Sequence, residues 1–195
     1  MNPRALRVAG PVILVVVSLI CVIAGLAYGG GAAPSLLADP GPFVRWGLPI
    51  ATLVVNLSAA AMVGSLVLAL FALPAGERPF EIALDTASIG AAVFTVASAT
   101  TGFLTFLNVI NATPTPDPLF GQQLGRFRVE TEIGPAWLIT TIAGAVLTVL
   151  TFAVRSWLPT LLVAILALAA LIPMGTQGHA GTEASHTAAV TSLVL

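Results

Sequence analysis

Hydrophobic positions fall along this chain in five runs, uncharged apart from Asp85, separated by stretches that carry the other charges and many of the prolines. The runs cover residues 10–30, 47–73, 83–110, 134–154 and 157–174. Each approaches or exceeds the roughly 20 residues a helix needs to cross about 30 Å of hydrocarbon. None alternates with the period of two that a barrel strand shows, and only helices or closed barrels satisfy their backbone inside lipid. The pattern therefore predicts an all-α fold, a polytopic transmembrane helical bundle with five complete spans. Arg4 and Arg7 before the first run give it the look of a signal peptide. Its apolar stretch, Val12 to Tyr28, outruns the usual signal core, so an uncleaved helix is expected. Pro135 opens the fourth span in a first-turn position, and Arg155 closes it. Trp157 and Pro173 flank the short fifth. Beyond a loop from Gly175 to His186, a last apolar run, Thr187 to Leu195, reaches only about 14 Å as a helix. It reads as the start of a sixth span. The whole, residues 1–195, is expected to be a single transmembrane domain and the N-terminal part of a longer protein.

Composition reinforces this. Hydrophobic residues make up 57% of the chain and charged residues 8%, where a soluble domain carries about 25% charged residues. Too little polar surface is available to cover a soluble globule. The net charge is −1 and the seven basic residues are all Arg, dispersed without a basic stripe, which excludes a nucleic-acid binder. Cys21 is the only cysteine, so there is no internal disulfide and no cysteine zinc site. Arg4, Arg7, Arg78 and Arg155 fall on one side of the threaded spans, and Arg45, Arg126 and Arg128 on the other. That bias, led by the pair before the first helix, predicts a plasma (inner) membrane protein with its N-terminus in the cytoplasm. The loop 112–133 and the histidine-bearing loop then face outside.

Ionisable groups within the spans, the usual mark of a proton relay, are nearly missing. Asp85 lies within a turn of its span's end and reads as an interfacial acid near a helix start. Asn56 is expected to point inward and bond a neighbouring helix. Small residues at four-residue spacing, Gly25 with Gly29, Ala60 with Gly64, and Ser98 with Gly102, are expected to form packing faces, as are Thr140, Gly144 and Thr148. Residues 111–118 are Pro-rich and should be extended. From Leu119 to Glu132, Phe120, Leu124 and Phe127 recur at helical spacing. That segment reads as an amphipathic helix on the membrane surface, or as a docking face for a periplasmic partner.

The two histidines, His179 and His186, share one short loop. On a continuous helix they would stand about 10 Å apart, too far for one ion. The Gly- and Ser-containing stretch between them permits a bend that joins them. Met174 lies five residues before His179 and offers a thioether. Imidazole with thioether suits copper better than magnesium or calcium. A solvated loop with no metal is the plainer reading.

Gly178-His179-Ala180, followed by His186 and then 188–195, resembles the bacterial copper-resistance protein D family (CopD). It resembles in particular the actinobacterial members fused to a cytochrome c oxidase assembly domain. The segment Thr131-Glu-Ile-Gly-Pro-Ala-Trp-Leu138 at the start of the fourth span is a second local match. The resemblance implies a membrane protein of copper uptake, tolerance or delivery that catalyses no reaction. It makes His179 and His186 candidate copper contacts; Met174 is added on chemistry alone. The implied partners are the bilayer, the copper ion, and a periplasmic copper chaperone or an oxidase subunit. Two other readings stand beside it. One is a scaffold for cytochrome c oxidase assembly acting through 120–132. The other is a haem-bearing redox domain, for which both histidines in one loop would supply at most one side of a haem.

Overall fold

The computed structural model describes residues 3–34, 39–111, 113–131 and 133–175. Helix α1 covers Pro3–Tyr28, α2 Pro42–Ala72, α3 Arg78–Ile110, α4 Pro118–Glu130, α5 Ile133–Ala153, α6 Trp157–Ala170 and α7 Ile172–Gly175. Five stretches are long and apolar enough to cross a membrane: Ala9–Tyr28, Pro42–Ala72, Arg78–Ile110, Ile133–Ala153 and Trp157–Gly175. The fold is the expected all-α bundle of a multi-pass membrane protein. Two spans are longer than the uncharged runs suggest. At 33 residues, α3 measures about 50 Å, more than the hydrocarbon thickness. Its extra residues at the start carry Arg78 and Glu81, charges at which hydropathy no longer marks the helix. Pro79 sits in its first turn, and Asn111 ends it in a left-handed conformation with φ 51°.

The central helix is α3, packed between α2 and α5. Lipid offers helices no hydrophobic drive toward each other, so close packing selects small side chains. Many of the α3 residues buried in the bundle are small, among them Ala83, Ala87, Gly90, Ala91 and Ala97, interleaved with Phe80, Phe94 and Phe106. Buried hydroxyls return to their own helix, except Ser98 Oγ, which has no hydrogen-bond partner among the described residues. Ser88 donates to the Leu84 carbonyl, Thr101 to Ala97 and Thr140 to Ala136, each at 2.8 Å. One pair also crosses between helices: Thr95 Oγ1 lies 3.2 Å from Thr148 Oγ1. Each hydroxyl also has a carbonyl of its own helix within reach, 2.9 Å from Thr95 and 2.8 Å from Thr148, so the one that donates across gives up its own carbonyl. Thr148→Val is therefore expected to cost less than about 1 kcal/mol in detergent unfolding. A larger loss would mean that the cross-helix bond carries the α3–α5 contact.

At the end of the bundle formed by the α2–α3 hairpin, α6 packs on α2 and α5. The Trp157 indole Nε1 donates to the Leu70 carbonyl at 3.2 Å and pins the start of α6 to the end of α2. At the opposite end, α4 closes the bundle. Asp117 caps it by accepting from the Leu119 N–H at 2.9 Å, with Pro118 at the first position. Its apolar face does not lie on lipid as the sequence suggested. Phe120 packs edge-on and Phe127 at a tilt against Phe106, with centroids 5.3 and 5.4 Å apart. The bundle end offers aromatic partners that a helix lying flat on lipid would forgo.

Helix α1 stands apart. It contacts α2 only along part of its length, and its apolar window is unburied. A methyl group added to Gly25 would meet empty space, and Gly29 faces only the Gly25 carbonyl of its own helix. The small-residue pair expected to pack α1 finds no partner helix among the described residues.

Candidate functional site

Of the three sequence-predicted metal contacts, Met174 is described, whereas His179 and His186 lie outside the described residues. The fifth span does not run straight to Met174. It is interrupted at Leu171, whose own backbone stays in the right-handed helical region; two residues on, Pro173 has no N–H to continue the helical hydrogen bonding. A single turn, α7, then carries Met174, whose N–H donates to the Leu171 carbonyl at 3.0 Å. This break turns the half-buried Met174 toward the middle of the bundle. There it packs with Leu171 and Ile133 against Val55, Ala59, Phe94, Ala97 and Trp137.

Met174 also forms one wall of a groove of about 370 Å³. The opposite wall is the α2 stripe Asn56, Ala60 and Gly64, with residues one turn apart. Asn56 was expected to turn inward and bond another helix. Instead it is exposed toward the groove, and its amide has no hydrogen-bond partner among the described residues. The physical reason is rotation. Val55, Ala59, Met62 and Leu66 occupy the buried face of α2, and Asn56 is one residue, or about 100°, around from it. Ala60 and Gly64 share its face, so they line the groove and leave open the packing face expected of them; a methyl on Gly64 would meet nothing.

The groove contains no charged side chain. Among the described residues no group of three or more His, Cys, Asp or Glu could hold a metal ion. The groove can offer a thioether and an amide oxygen, and of these only the thioether is a soft donor. Both histidines of the chain lie at 179 or beyond, so the described bundle has no imidazole with which to ligate a haem.

The ion pairs lie elsewhere. Arg45 meets Asp39 at 2.7 Å, and Arg155 meets Asp85 at 2.9 Å. Arg155 also donates to the Thr151 carbonyl at 3.1 Å, closing the end of α5. Asp85 thus joins α3 to α5, a role invisible in sequence because its partner is 70 positions away. To the acid near a helix start that the sequence implied, the structure adds Arg155 as an ion partner.

Residues 37–188 match the family model for the copper resistance protein D-like N-terminal domain. The chain belongs to this family. No curated protein matches it, and neither does any solved structure. The region matched to the copper-resistance model runs from before α2 to beyond α7 and includes His179 and His186. It omits α1, the helix that also packs least against the rest of the bundle. The region matched by the family model therefore takes in the described helices that pack on one another and leaves out α1.

Proposed function

We propose that this protein handles copper as cargo across or at the inner membrane, without catalysing a reaction. His179 and His186 are the imidazole contacts, and Met174 supplies a thioether. The observation that carries the reading is the copper-resistance family match, which extends over both histidines. The chemistry agrees: imidazole and thioether are donors that copper accepts and hard cations reject. The position of Met174 agrees as well. It ends the described bundle at a groove, five residues before His179. In this reading the N-terminus is cytoplasmic, the histidines face outside, and a periplasmic chaperone or an oxidase subunit exchanges the ion with them.

The test is copper content and copper tolerance of cells carrying His179→Ala together with His186→Ala. The double variant is expected to fall to the level of cells lacking the protein at equal membrane abundance. Accumulation and tolerance equal to wild type would remove the histidines from the mechanism. Met174→Leu separates ligation from packing, because leucine keeps the volume and loses only the sulfur. A partial loss is expected from it; no change would leave Met174 as a packing residue.

A further inference from the structure

The floor of the groove beside Met174 is unlike the other outward faces of the spans. Those faces carry large apolar side chains, such as Val67, Leu68 and Phe71 on α2 and Ile82, Ile89 and Val96 on α3. On the groove stripe Asn56, Ala60 and Gly64, the exposed residues of α2 are an amide and two residues with little or no side chain. Small residues let another backbone approach closely, and lipid chains gain nothing from them.

Asn56 narrows the choice of occupant. It stands fourteen residues from Pro42 and sixteen from Ala72, about 21 and 24 Å along the helix. At the middle of a span it is beyond the reach of headgroups, and its amide has no hydrogen-bond partner among the described residues. An acyl chain in the groove would leave that amide unmet, at a cost in free energy. The fitting occupant is a slender apolar helix that carries hydroxyls.

The chain itself supplies one. The described bundle ends at Gly175, directly after Met174, which is a wall of the groove. After the eleven residues 176–186 comes the apolar run 187–195, outside the described residues, with Thr187 and Thr191 one helical turn apart. So short a tether holds the run near the groove at an effective concentration on the order of millimolar, an advantage that no separate molecule shares. We propose that residues 187–195 seat in this groove as a helix running in the direction of α2, with Thr187 beside Asn56 and Thr191 beside Ala60. Seating Thr187 there brings His186 to the level of Met174. Only the use of that juxtaposition rests on the copper reading.

The experiment is disulfide trapping in membranes, without copper, in the full chain carrying Cys21→Ser. Ala60→Cys with Thr191→Cys, oxidised with iodine, is expected to bond within one chain. After trypsin cleavage at Arg78, Arg126, Arg128 and Arg155, the peptides bearing the two positions should stay joined until reduced. Val93→Cys with Thr191→Cys should stay unjoined, because Val93 opens on another face of the α2–α3 pair, beside Ala51 and Val54. Asn56→Leu removes the amide and should slow bond formation about threefold, the effect of one cross-helix hydrogen bond in lipid. Gly64→Leu fills the groove without touching a polar group and should slow it about tenfold. Both substituted side chains enter open space, so the bundle is expected to keep its fold. A bond that forms only between two chains would overturn the assignment and make a second copy the occupant. No bond, or an unchanged rate in either variant, would overturn it in favour of lipid. A trapped bond with unimpaired copper tolerance in the histidine variants would sink the copper reading alone, and the reverse pattern would sink this one alone.

Discussion

Gly90→Val is expected to unfold the bundle at a markedly lower denaturant concentration than wild type, with a loss of about 2–4 kcal/mol. Gly90 lies where α3 crosses α2, the most extensive helix–helix contact in the fold. A methyl group there would sit 2.9 Å from the Met62 nitrogen and 3.1 Å from its Cα. Those atoms are backbone, so no rotamer change relieves the clash and the two helices must separate. Separation exposes Met62, Phe80 and Leu84, which now bury one another. In lipid those contacts are lost as dispersion and not as hydrophobic burial, because acyl chains are as apolar as the core. Gly64→Ala is the matched control. It stands on the same hairpin with open space before it, and it should hold or slightly raise stability through its better helix propensity. Unfolding followed by tryptophan fluorescence in mixed micelles compares the two. Similar midpoints for both variants would mean that the α2–α3 crossing is looser than described here.

Gly134→Val is the second large effect. Gly134 is the second residue of α5, at the elbow where the chain turns from α4 into the bundle. Any Cβ at this position collides with the carbonyl oxygen of Phe127, with the carbonyl carbon at 2.7 Å and Thr131 Oγ1 at 2.9 Å. The elbow has little freedom to yield. Thr131 Oγ1 donates to the Phe127 carbonyl at 2.7 Å and accepts from the Gly134 N–H at 3.0 Å. Moving Phe127 also disturbs the contact with Phe106 that holds α4 down. The expected outcome is an α4 that opens locally while α2, α3 and α5 stay packed. Trypsin cleavage after Arg126 and Arg128 should accelerate about tenfold or more, the effect of losing ~1.4 kcal/mol of local stability. Cleavage at the wild-type rate would show that the elbow does not hold α4 in place.

These two glycines show where sequence reading stops. The pairs Ala60–Gly64 and Ser98–Gly102 look alike as small residues four apart. In the structure, Gly102 meets the Trp137 Cβ at 2.9 Å and Gly64 meets nothing. Gly90 and Gly134, the tightest approaches to backbone in another segment, stand in no such motif among those singled out. Small-residue spacing reports that a helix can be approached closely, and it is silent on whether a neighbour is there. Asn56 makes the same point with the opposite sign. The cost of an amide in lipid predicted an inward side chain, but one residue of rotation turned it to the groove. The proposed copper contacts divide along the same line. The chemistry of His179, His186 and Met174 is legible as residue types and spacing. The packing of Met174 against Trp137 depends on a break at Leu171 and on helices distant in sequence.

What the chain determines by itself is which segments are helices and roughly where they end. Runs of apolar side chains, prolines at first turns and an asparagine at a left-handed cap act within a few residues. The backbone in lipid has no partner but itself, so those local signals suffice. Tertiary structure alone decided that α3 is central, that α4 spends its phenylalanines on the bundle, and that Asp85 belongs to Arg155. Each depends on the rotation and neighbourhood of helices joined by tens of residues. In a solvent as apolar as the side chains, such choices follow from shape and a few polar contacts, which hydropathy does not record.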